Sequence, residues 1–155
     1  MASTNARCLI LACGNTLRSD DGIGPALCQW AEKRFAADPS IWLISDHQWT
    51  PEIAEEIAQA DSVIFVDCAV DCAPGQIILR ELQPAPLVPG LVTHHVGAPE
   101  LLAITRDLYQ ASPRRALLLT VGAASIEVGE SLSPEVQAAL PRAAELLELT
   151  VAQCL

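Results

Sequence analysis

Basic residues are scarce in this chain: nine Lys and Arg face nineteen Asp and Glu, the formal net charge is −10, and Lys33 is the only lysine. Such a field repels a phosphate backbone or an anionic bilayer, which excludes nucleic acid and membrane as partners and favours a cation or a basic segment. Although 51% of the residues are hydrophobic, no apolar run approaches the ~20 residues that a bilayer requires. The opening "MASTNARCLILACG" also lacks the apolar core of a signal peptide, so a cytoplasmic protein is expected. Paired CxxC motifs are missing too. The six cysteines, at positions 8, 13, 28, 68, 72 and 154, offer only Cys68 and Cys72 four residues apart, a weak zinc signal, and reduced, mostly buried thiols are expected. There is no GxGxxG or P-loop, and two acids in the first turn would repel a phosphate. There is no GxSxG elbow for a serine hydrolase.

What is present suits a single α/β domain over residues 1–155. Five short β-branched apolar runs predict strands at Arg7 to Cys13, Ile41 to Ser45, Ser62 to Asp67, Gln76 to Leu79 and Ala116 to Val121. Helical periodicity predicts helices from about Gly22 to Ala36, Pro51 to Ala60, Pro99 to Tyr109 and Pro134 to Gln153, with Thr50 and Ser133 as N-caps before prolines. Strands alternating with amphipathic helices imply a three-layer α/β/α sandwich around a mostly parallel sheet. The hairpin-like spacing of the third and fourth strands, across "VDCAPG", suggests one antiparallel member. A sheet covered on both faces has little reason to dimerise, and a monomer is expected. The proline-rich "QPAPLVPGLVTHHVG" must be a loop, and one of that length is either disordered or functional.

In an open parallel sheet, sites form at the carboxyl ends of the strands. Three polar features fall there: Asp20 and Asp21 after the first strand, Asp67 at the end of the third, and His94 and His95 in the proline-rich loop. Each has an ordinary explanation beside a functional one. One aspartate before "GIGPALCQWAEK" would cap a helix, but capping needs only one of the two. Asp67 could be satisfied by the amides of the turn that follows it, and either histidine could simply be solvated. Taken together, two carboxylates and an imidazole form a mixed oxygen and nitrogen set suited to a divalent first-row cation. Hydrolysis by a proton relay between the acids is the other possibility.

The stretches "LILACGNTLRSDDGIGPAL", "DHQWTPEIAEEIAQADSVIFVDCAV", "THHVGAPELLAI" and "GESLSPEVQAALPRAAELL", in this order across nearly the whole chain, resemble the hydrogenase maturation endopeptidases. The chain departs from the family's Gly-x-Gly-Asn turn in reading Ala12-Cys13-Gly14-Asn15. The resemblance implies a five-stranded α/β/α fold and an endopeptidase that removes the C-terminal extension of a [NiFe] hydrogenase large-subunit precursor. The nickel engaged is carried by that precursor, with no tightly bound metal of the enzyme's own. Carried over by position, the nickel contacts and catalytic residues are Asp21, Asp67 and His94, with Asp20 as the neighbour that caps or orients. His95 is the alternative to His94, and His47 of "HQWTPE" is either a substrate contact or a residue of the helix approach. A non-catalytic, metal-dependent binding module or assembly chaperone is the competing expectation.

Overall fold

The computed structural model describes residues 6–86 and 96–155. Five strands, β1 (Ala6–Cys13), β2 (Ile41–Asp46), β3 (Ala60–Ala69), β4 (Ile77–Glu81) and β5 (Arg115–Gly122), form one sheet in the order β2-β1-β3-β5-β4. Four α-helices flank it: α1 (Ile23–Arg34), α2 (Ala54–Ala58), α3 (Ala98–Tyr109) and α4 (Pro134–Gln153). The expected α/β/α architecture is the observed one.

Alternation along each strand explains the two cores. Cys8, Ile10 and Ala12 of β1 point to the same side as Ile64 and Val66 of β3 and Leu117, Leu119 and Val121 of β5, where α1 and α4 cover them. Leu9 and Leu11 point to the other side with Val63 and Phe65, beneath α2 and α3. The central strands β1 and β3 are buried on both faces, which is why they read as nearly unbroken apolar runs.

Most boundaries shift from the expected ones by no more than two residues; the second helix and the pairing of β4 differ more. The helix expected over Pro51 to Ala60 begins as a 3-10 turn, Pro51–Ile53, continues as the short α2 and gives way to β3 at Ala60. Thr50 precedes it with extended backbone but makes no side-chain capping bond, whereas the Ser133 hydroxyl does accept from Val136 N–H at 3.3 Å. β4 is the antiparallel strand, as expected, but it pairs with β5 and not with β3. β5 enters parallel between them, Asp67 facing Thr120 in register, because the long connection through α3 lets an apolar strand take the doubly covered position.

The order of the sheet creates a switch point. From β1 the chain crosses to β2 on one side and then to β3 on the other, so the loops leaving the carboxyl ends of β1 and β3 diverge and leave a crevice between them.

Candidate active site

That crevice is a cleft of about 580 Å³ whose wall includes Cys13, Arg18, Asp21, His47, Trp49 and Asp67. Asp21 arrives on the turn after β1. Gly14 opens this turn with φ +149°, its N–H donating to Asp46 C=O at 3.0 Å, and a Cβ there would collide with the Asp21 carbonyl. Gly24 serves the same end one step later: a side chain at this position would strike the Cys13 carbonyl, so glycine lets the first turn of α1 rest on the end of β1. Asn15 closes the turn, its N–H donating to Asp21 Oδ2 at 2.7 Å and its Oδ1 accepting from Leu17 N–H at 2.9 Å.

The two adjacent aspartates have opposite environments. Asp20 is completely buried. It accepts from the N–H groups of Ala124 and Ser125 at 2.8 and 3.1 Å, and from Ser133 N–H at 2.7 Å and Ser133 Oγ–H at 2.9 Å. Burial works against the ionised form, but the donors from Ser133, Ser125 and Ala124 outweigh it and hold the carboxyl below the usual carboxylate range. Asp20 does not cap α1, whose N-cap residue Gly22 has no side-chain cap. It ties the turn instead to the loop after β5 and to the start of α4. Backbone bonds from Ser19 N–H to Gly129 C=O, Gly129 N–H to Leu17 C=O and Asp20 N–H to Ser125 C=O complete the seam. Asp21, next in the chain, is left facing the cleft.

Asp67 is delivered by β3, which continues past the point where β1 turns away. Because Ala12 pairs with Val66, Cys13 and Asp67 are next in register and share one face of the sheet. Burial pushes the Asp67 carboxyl up to about 6; the Cys13 thiol and the Cys68 N–H, which donates at 2.7 Å, pull it down, and the charge of Asp21 raises it again. The amides of the following turn thus satisfy Asp67 only through Cys68. Neither Asp21 nor Asp67 forms an ion pair among the described residues.

All six cysteines are free, but only Cys8, Cys28 and Cys154 are buried, Cys13, Cys68 and Cys72 being half-buried. Burial, with Asp67 beside it, raises the Cys13 thiol, and burial with Asp21 and Asp67 pushes Cys68 up to about 12. Both stay protonated at neutral pH and are poor nucleophiles.

His47 lies in the cleft wall as well. Trp49, 6% exposed, packs edge-on against Phe65 with ring centroids 5.1 Å apart, and its indole N–H has no hydrogen-bond partner. His94 and His95 lie outside the described residues; Val96 and Gly97, which follow them, line the cleft. Among the described residues no three His, Cys, Asp or Glu side chains group as a metal site. Sequence reading missed Arg18, Trp49 and the contribution of Cys13. The register of two recognisable strands was the one signal that could have placed Cys13 beside Asp67.

Comparison with known proteins adds an independent line. The sequence profile of the hydrogenase maturation protease family (HycI) matches residues 33–149, more than half of the chain. Similar sequences include the hydrogenase 2 maturation protease of Escherichia coli K12, 28% identical over 143 residues that cover 90% of this chain and 87% of the relative. Another is the hydrogenase expression/formation protein HupM of Azotobacter chroococcum mcd 1, 30% identical over 146 residues, 90% of this chain and 69% of the relative. In structure the fold is similar to the hydrogenase maturating endopeptidase HybD from E. coli, with a TM-score of 0.77 at 24% identity over 95% of this chain and 93% of that one. It is also similar to a hydrogenase 2 maturation peptidase from a Thaumarchaeota archaeon, TM-score 0.69 at 26% identity over 94% and 98%.

Proposed function

The chain belongs to the hydrogenase maturation protease family, and from that premise we propose that it removes the C-terminal extension of a nickel-loaded [NiFe] hydrogenase large-subunit precursor. As a family member it is a hydrolase acting on a peptide bond. What supports the finer reading is one observation: Asp67 is a carboxylate raised to about 6, with Asp21 adding to its discomfort, and both face an open cleft without an ion-pair partner.

A pair of this kind has a deficit of positive charge. A divalent cation arriving on the substrate stabilises the ionised form of both carboxylates, so a precursor carrying nickel binds better than one lacking it. Asp21 and Asp67 supply two oxygen donors, and His94 supplies a nitrogen, completing a set that suits a first-row cation. The nickel is part of the substrate, and its seat in the precursor fixes where the neighbouring peptide lies in the cleft. Cleavage then depends on completed metal insertion. The water that attacks is activated either by polarisation at the nickel or by a carboxylate of the pair acting as general base.

The working partner is the precursor itself. The acidic surface makes nucleic acid an unfavourable one, and no helix among the described residues is long and apolar enough to cross a membrane. The test is incubation with nickel-loaded and nickel-free precursor, followed by intact mass. Loss of a C-terminal peptide from the loaded form alone is the expected result. Equal cleavage of both forms overturns nickel recognition, and binding without cleavage returns the non-catalytic module.

A further inference from the structure

Arg18 is the only arginine or lysine in the described wall of the cleft, and it is not spent on the aspartates. Asp21, three residues on, takes its hydrogen bond from Asn15 N–H, and Arg18 forms no ion pair among the described residues. Among the described residues its one side-chain bond runs from Nε to the Ile126 carbonyl at 3.2 Å. Its backbone is tied down as well, with N–H to Asn15 C=O at 3.0 Å and a bridge to Gly129. The stem is therefore held against the opposite loop, and the two terminal nitrogens have no partner among the described residues. The cleft thus offers free guanidinium donors at Arg18, while Asp21 and Asp67 in the same lining repel an anionic ligand. An uncharged acceptor, such as a peptide carbonyl, fits both conditions.

We propose that Arg18 is a catalytic residue of this reaction, its guanidinium donating to the carbonyl oxygen of the scissile peptide. The proposal rests on the reading of the cleft as the peptidase site. As the water oxygen bonds to the carbonyl carbon, the π pair moves onto the carbonyl oxygen, and the negative charge that grows there meets a fixed positive one. When the C–N bond breaks, that pair returns to re-form the carbonyl, and a proton released by the water ends on the leaving amine. The guanidinium stays protonated throughout, which its very high pKa ensures.

The experiment compares kcat and KM on nickel-loaded precursor for the unaltered protein, Arg18→Gln and Arg18→Lys, with circular dichroism and thermal melting to confirm folding. Arg18→Gln is expected to lower kcat by about 100-fold with KM within roughly threefold of the parent, the pattern of a contact that strengthens in the transition state. Arg18→Lys recovers part of the loss, since it supplies the charge without the fork. A kcat for Arg18→Gln within about threefold of the parent, or a loss confined to KM, overturns the proposal. Failure of the unaltered protein to cleave the loaded precursor overturns the peptidase assignment instead.

Discussion

Cys13 and Asp67 stand side by side on one face of the sheet, the thiol of the first donating to the carboxylate of the second at the point where β1 leaves and β3 continues. Burial nevertheless keeps the Asp67 carboxyl up near 6. Its folded pKa lies above its unfolded one, so the folded state holds the extra proton between about pH 4 and 6 and loses stability as pH rises through that window. Asp67→Asn is therefore expected to be more stable than the parent at pH 7, by about 1–3 kcal/mol, with the gain fading below about pH 4. Urea titrations at the two pH values measure this. A less stable variant at pH 7 would make Asp67 a structural acceptor. The same ionisation predicts that processing by the parent climbs through about pH 6 and that Asp67→Asn does not process.

Asp21→Asn keeps the shape of the turn and an oxygen for the Asn15 N–H, but not the charge that a cation needs. Loss of processing is expected, with a melting temperature close to the parent's. Normal processing by a folded Asp21→Asn protein would remove it from the ligand set.

Asp20 predicts the reverse pattern. Asp20→Ala removes the shared acceptor of the Ala124, Ser125 and Ser133 donors and empties a fully buried site, at a cost of roughly 3 kcal/mol. Because the Asp20 carboxyl is held low, its contribution is present above the ordinary carboxylate range and disappears as pH falls through the depressed value. Denaturation curves of parent and variant should therefore differ at pH 7 and converge in strong acid.

Gly14→Ala sets a methyl group against the Asp21 carbonyl on backbone that favours glycine. A loss of about 2–4 kcal/mol is expected, together with processing activity, because the displaced turn carries Asp21. Full activity at low temperature in this variant would show that the turn tolerates movement.

His94→Ala is expected to abolish nickel-dependent processing and His95→Ala to spare it, since an alanine offers no nitrogen lone pair to the metal. Precursor cleavage by the two folded variants decides between them. The opposite result would assign the contact to His95, and equal activity would remove both.

Much of the architecture was legible because it depends on periodicities within single elements. β1 and β3 read as strands since both faces are apolar, and α4 was bounded correctly by Ser133, Pro134 and the pattern that follows. The partner of β4 was not legible: sequence proximity argues for β3, while the apolar run of β5 argues for its insertion between them, and only the packed sheet weighs the two. In the site, Asp21 and Asp67 stood out as acids at the ends of apolar runs. The role of Asp20 did not, because its acceptor bonds reach residues more than a hundred positions away. Arg18 looked like any solvated arginine in a turn, since nothing local reveals that it is held by Ile126.

The seam between Asp20 and Ser133 spans 113 positions, and it imposes an order in time. While the polypeptide is being made, the turn that carries Asp21 leaves the ribosome long before the start of α4 does. All four donors to Asp20 come from residues 124 to 133, so the turn cannot be tied down before that late segment is present. The position of Asp21 is therefore set by a segment made near the end of synthesis, and the cleft is complete only once that segment has docked.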